Sequence, residues 1–264
     1  TPHYHYVSPP PFTEAEAVRR AIYLAGQTDT PLYIAHMTCR EAIAELQKAK
    51  GTGQRVSGET CTHYLTTTKE VLDNPDFNEA AKFVCSPALR DQEDCEALWQ
   101  ALAGGLLTAV SSDHCGIDVA ELKQAGRDDF TQIPNGSPGA GDRLHMVWTE
   151  GVCTGKLSRQ KFVDVIATQP AKINGIYPRK GTLAVGSDAD IVIFDPSYEG
   201  VIRLADNPNG VDYNLYEGRR QSGRVETVLL RGQVVVENAK FVGRYGQGQF
   251  IPASMYASGY ENRN

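Results

Sequence analysis

The chain has no apolar run of the roughly 20 residues needed to cross a bilayer, so no membrane-spanning anchor is expected. A basic excess is also lacking: 26 Lys and Arg face 32 Asp and Glu, for a formal charge of −6. This excludes the electrostatic footprint of a nucleic-acid binder and the polybasic patch that would hold an anionic membrane. No CxxC pair occurs among the six cysteines, Cys39, Cys61, Cys85, Cys95, Cys115 and Cys153, and a chain of 264 residues does not need disulfide staples. Free thiols in a cytoplasmic protein are the expectation, with Cys61, Cys85 and Cys115 as small buried hydrophobes near strand ends. The opening TPHYHYVSPPP shows neither a cleavable signal pattern nor an initiator Met, so a processed chain or a piece of a longer protein is expected.

What is present alternates in character along the chain. Residues 1–12 read as an irregular loop, followed by a helix over FTEAEAVRRAIYLAG with Thr13 as N-cap, Glu16 at capping-box spacing and Gly26 as the stop. PLYIAHM is a short β-prone run before a helix in CREAIAELQKAKG. GQRVSGETC is strand-like, TTTKEVLDN helix-like, and AKFVCS a short strand or extended segment. In DQEDCEALWQALAGG an apolar face runs through Cys95, Leu98, Trp99 and Leu102, the period of a helix. LLTAVSS is the next strand. Strands alternating with helices indicate βα units and a parallel sheet.

A long polar loop is expected over 116–142, and helices resume in DRLHMVWTEGVCTG and SRQKFVDVIATQPAKING. From about residue 176 short strands are joined by Gly, Asp and Asn turns without intervening helices, which marks a separate all-β unit to residue 242. Residues 243–264 are a Gly- and Tyr-rich tail. The βα portion, residues 1–175, holds three or four strands, too few for a closed eight-stranded barrel, which takes about 250 residues.

Three polar side chains follow apolar strands: His36 after LYIA, His63 beside GETCT, and Asp113 after TAVSS. Ligands of α/β folds gather at the carboxyl ends of strands. His and Asp suit a cation such as zinc, which lowers the pKa of bound water, and a neighbouring carboxylate can carry the proton. Each residue alone also has a bland reading: a satisfied structural histidine at His36 or His63, a helix or turn cap at Asp113.

The ordered segments YHYVSPPPFTEAEAVRRAIYLA, LYIAHMTCREA, GETCTHYL, KFVCSPALRD, LTAVSSDHC, DDFTQIPNGSPGAGDRL and PRKGTLAVGSDADIVIFDP resemble the dihydropyrimidinase and D-hydantoinase family of cyclic amidohydrolases. The resemblance implies an α/β fold, here the C-terminal half of a (β/α)₈ TIM barrel (residues 1–175) plus part of a flanking β-sandwich (176–242). It implies two divalent metal ions, usually zinc, and hydrolysis of a dihydropyrimidine or 5-substituted hydantoin to an N-carbamoyl amino acid. By resemblance His36 is a metal ligand, and Asp113 is both ligand and proton shuttle. Ser86 and Asn135 lend backbone groups to the substrate's ring amide, and His114 stands behind the ligands. His63 occupies a position where relatives often carry Gln, which argues against metal duty; His145 reads as structural. The expected partner is a small cyclic amide, with neither nucleic acid nor membrane. A homotetramer is implied, and the 243–264 tail is a possible subunit contact.

The family's first-strand HxH pair, bridging lysine and a further histidine have no match in the chain. His3 and His5 form the sole HxH, and it lies in the opening loop, where it reads as coincidence. A chain with part of the site is expected to be inactive alone. The alternatives are a non-catalytic assembly relative of the family, or an inactive truncated fragment.

Overall fold

The structure, a computed structural model, describes residues 1–254. The opening is helical rather than a loop: α1 (His3–Val7) precedes α2 (Pro11–Gln27). Pro10 stands at the cap of α2, and Pro11 takes the first helical position, where a missing N–H costs nothing. Thr13 is therefore inside the first turn, and its hydroxyl donates back to the Pro10 carbonyl at 2.7 Å instead of capping. Glu16 accepts from Arg20 one turn later. The buried face of α2 carries Ala15, Val18, Ile22 and Ala25.

Strand β1 (Leu32–Ile34), helix α3 (Arg40–Gly51), β2 (Val56–Cys61) and the short α4 (Thr62–Thr66) follow. Next come α5 (Phe77–Ala81), α6 (Gln92–Ala103) and β3 (Ala109–Ser111). The three strands form a parallel sheet in the order β1-β2-β3, with Ile34 opposite Gly58 and Cys61 opposite Ser111. β2 is the middle strand and is buried along nearly its whole length, as a parallel strand covered on both faces must be. The predicted face of α6 packs into the main core, and Trp99 satisfies its indole N–H on the Leu65 carbonyl at 2.9 Å. TTTKEVLDN yields only a 3₁₀ turn at Lys69–Asp73. AKFVCS forms no strand: it turns at Lys82 and Phe83 and runs on without regular structure through Val84 and Cys85, where the ammonium of buried Lys123 gathers the carbonyls of Ala81 and Val84 at 2.8 and 3.1 Å.

The 116–142 stretch is irregular apart from 3₁₀ turns at Lys123–Gly126 and Phe130–Gln132. Helix α7 (Arg143–Val147) runs on through a π turn at Trp148–Val152, and a second π turn at Asp164–Thr168 joins α8 (Arg159–Val163) to α9 (Gln169–Ile173). β4 (Ile191–Val201), β5 (Arg220–Leu230), β6 (Gln233–Glu237) and β7 (Lys240–Phe241) then make an antiparallel meander. Its hairpins follow from their turn residues: Arg231-Gly232 and Asn238-Ala239 all have positive φ, the two-residue geometry that matches strand twist. The meander is tied to the helices by Trp148, whose ring lies 5.3 Å from Phe162 and 4.8 Å from Phe194, and by Thr149, which exchanges hydrogen bonds with the backbone of Ser222. Among the described residues no helix is long and apolar enough to cross a membrane. Residues 243–254 form neither helix nor strand, and the rest of the tail lies outside the described residues.

Candidate functional site

His36, Cys61, His63 and Asp113 all stand at or just beyond the carboxyl ends of the parallel strands, the edge where α/β sheets gather ligands. His36 and Asp113 share a left-handed backbone, with φ of 41° and 45°. Short polar residues tolerate this region better than most, yet each such residue still costs of order 1 kcal/mol and persists only where its surroundings hold it.

The surroundings of His36 are visible in the hydrogen bonds on either side. Met37 N–H donates to the Glu59 carbonyl at 2.9 Å, joining the segment to β2. Thr38 donates its N–H to the Glu14 carboxylate at 2.8 Å and its hydroxyl to the other oxygen of the same group. Arg90 closes the network, donating to the Thr38 hydroxyl at 3.0 Å, the Pro9 carbonyl at 2.7 Å and Glu14 at 3.3 Å. The Arg90 and Glu14 side chains are 5% and 10% exposed, so this is a nearly buried ion pair whose other hydrogen-bonding groups are also engaged.

Cys61, His63 and Asp113 each place a donor atom within 4.8 Å of the others. The expectation that His63 stands apart from cation duty does not anticipate this position. Helix α4 begins directly after β2, and its first turn folds the imidazole back beside the strand end. His63 is buried, and burial, with a smaller contribution from neighbouring His36, pushes its pKa down to about 3, so its ring is neutral around pH 7. Burial likewise pushes the Cys61 thiol well up. Asp113 itself is exposed.

Two ring nitrogens here, Nδ1 of His36 and Nε2 of His63, are buried without a hydrogen-bond partner. A buried nitrogen left this way costs about 1–3 kcal/mol, and a cation would satisfy it. These donors therefore fit a metal ion, although His36 and Asp113 are too few by themselves for a bridged pair of metals. A cavity of about 480 Å³ beside α2 and β1 reaches His36 and Arg90 but touches none of Cys61, His63 and Asp113.

Ser86 and Asn135 come together on two exposed loops, the Ser86 hydroxyl donating to Asn135 Oδ1 at 3.1 Å. The Asn135 loop is fixed by Gly136, whose N–H donates to the Val84 carbonyl at 3.0 Å. At φ 128° a Cβ on Gly136 would fall 2.5 Å from Cys115 Cβ, so glycine alone fits. His114 forms a backbone bridge with Ser137, and its Nδ1 accepts from Gly139 N–H at 3.3 Å. His145 accepts from Val225 N–H at 3.4 Å, between α7 and β5. His3 and His5 lie on α1, where His3 meets Asp73 at 2.7 Å and His5 Nε2 donates to the Cys85 carbonyl at 2.7 Å. Sequence reasoning missed Cys61, Glu14, Arg90 and Lys123. The signal available for Cys61 was its place two residues before His63 at a strand end.

Residues 24–235 match the Amidohydrolase family, and the chain belongs to that family. Within it, the chain is similar to D-hydantoinases and dihydropyrimidinases, in keeping with the sequence resemblance. It is 48% identical to D-hydantoinase of Ralstonia pickettii over 255 residues, covering 97% of this chain and 55% of that protein. It is 40% identical to dihydropyrimidinase of Arabidopsis thaliana, covering 97% of this chain and 48% of that one. The crystal structure of dihydropyrimidinase from Brevibacillus agri superposes with a TM-score of 0.95 at 45% identity, over 97% of this chain and 55% of that chain. The chain thus spans about half the length of these relatives.

Proposed function

We propose that the chain is the C-terminal part of a metal-dependent cyclic amidohydrolase that opens a dihydropyrimidine or a 5-substituted hydantoin to the N-carbamoyl amino acid. In this reading residues 1–175 are the closing strands and helices of a (β/α)₈ barrel. Residues 176–242 belong to a flanking β-sandwich, and 243–264 reach a neighbouring subunit of a cytoplasmic homotetramer. The observation that carries the reading is the placement of His36 and Asp113: both stand past strand ends of one parallel sheet, on matching left-handed backbone, with Nδ1 of His36 buried and unpartnered.

His36 and Asp113 would hold part of a pair of divalent metal ions, zinc by resemblance, which when bound polarise a carbonyl and make water acidic. Asp113 takes the proton of the attacking water as its oxygen bonds to the ring carbonyl carbon. Asp113 then gives that proton to the ring nitrogen as the C–N bond breaks, so the carboxylate is regenerated. Peptide groups of Ser86 and Asn135 hold the ring amide, and the Ser86–Asn135 hydrogen bond keeps the two loops together. His114 fixes the chain after Asp113 through Gly139. The remaining metal donors lie outside this chain, so the isolated 264 residues are expected to be inactive.

The test is turnover of dihydrouracil and hydantoin by the full-length parent. Asp113→Ala should lower kcat by about 10²–10⁴-fold, the usual share of a proton-transferring group. An unchanged rate would remove Asp113 from this role.

A further inference from the structure

β2 and β3 bring a second set of donors to the same edge. Cys61 and Ser111 are register partners, and His63 and Asp113 each stand two residues beyond one of them. Parallel pairing and the immediate start of α4 bring the imidazole and the carboxylate next to the Cys61 thiol, with the three donor atoms within 4.8 Å of one another. His63 is 3% exposed, and its Nε2 finds no hydrogen-bond partner. We propose that Cys61, His63 and Asp113 form a mononuclear zinc site that is complete within this chain and does not use His36.

The donor types suit that ion. Zinc accepts thiolate, imidazole and carboxylate together at about 2.0–2.3 Å, in a tetrahedron whose fourth position can stay open to water. Closing on the ion requires the donors to draw in by about 1 Å, given those bond lengths. The movement falls to Asp113, the exposed member of the set. Around the thiol the hydrogen bonds hold the neutral S–H in place, its proton on the side of Ser111. Ser111 donates its hydroxyl to Glu59 at 2.8 Å, so in the 3.2 Å contact with Cys61 it can only accept. Tyr33 donates to the other Glu59 oxygen at 2.6 Å. When the zinc–sulfur bond forms it replaces the S–H bond, and one proton is released to solvent per ion bound. The site does not depend on the hydrolytic reading, but it shares Asp113 with it. An ion held here would take the carboxylate away from proton transfer.

The test uses Co²⁺ as the spectroscopic stand-in for zinc, titrated into the 264-residue chain. The expected result is a near-ultraviolet thiolate-to-cobalt charge-transfer band that saturates at a single ion per chain, with proton release in weak buffer. Cys61→Ser, Cys61→Ala and His63→Gln should each abolish the band while circular dichroism reports a folded chain. His36→Asn should leave the band in place. The proposal is overturned by no cobalt binding, by binding without the band, by a band that survives both Cys61 variants, or by a band lost with His36→Asn. The activity of the parent, read through Asp113→Ala, is a separate measurement that these outcomes do not decide.

Discussion

His36 and Asp113 follow different strands of the parallel sheet, yet their backbones adopt nearly the same left-handed conformation, φ 41° and 45°. For a residue with a Cβ this conformation carries a steric penalty that glycine escapes. The usual stability order of alanine over glycine should therefore reverse at Asp113. Asp113→Gly is expected to exceed Asp113→Ala in stability by on the order of 1 kcal/mol, read from urea denaturation midpoints. An alanine variant as stable as the glycine variant would mean that the strain is absent.

The Glu14–Arg90 pair predicts a larger effect with a characteristic rescue. Arg90→Met strands a nearly buried carboxylate and also removes donors to Thr38 and Pro9, so a loss of about 3–5 kcal/mol is expected. Adding Glu14→Gln should recover a large part of that loss, because no charge is then left buried. If the double variant is no better than the single one, the ion pair is not what fixes the segment after His36.

Lys123 gives a pH dependence. Its ammonium is fully buried, and desolvation lowers its pKa from 10.5 to about 8. Below about pH 8 native and unfolded chains both hold the proton, and the burial penalty is present in full. Between about 8 and 10.5 the unfolded chain binds the proton more strongly, so this group makes stability rise with pH. Wild type should accordingly gain up to about 3 kcal/mol relative to Lys123→Met across that window. Denaturation series at both ends of the window would show it, and parallel pH profiles for the two proteins would refute it.

The repeated βα pattern and the strands after residue 176 were readable because periodicity and turn chemistry are local. So was the buried face of α6 through Cys95, Leu98, Trp99 and Leu102. The 3₁₀ turn at Leu204–Asp206 between β4 and β5 was not expected. The opening was misread because Pro, Tyr and His are weak helix signals, and α1 is secured by distant partners, Asp73 and Cys85. AKFVCS, expected as a short strand or an extended segment, pairs with no strand, and the Lys123 ammonium that holds its carbonyls comes from about 40 residues further along. At the site, His36 and Asp113 stood out as polar groups ending apolar runs. Cys61 and His63 joined Asp113 only through the pairing of Cys61 with Ser111, a register that two isolated strands do not encode.

The hydrogen bond from His5 to the Cys85 carbonyl spans 80 residues of sequence and ends one residue before Ser86. His3 and Tyr6, on the same short helix, hold Asp73. The amino-terminal turn is thus a brace under the loop that carries Ser86, not a trailing end. A tag, a nick or a trimmed residue in the first six positions would act on the geometry around Ser86 without touching a single proposed ligand.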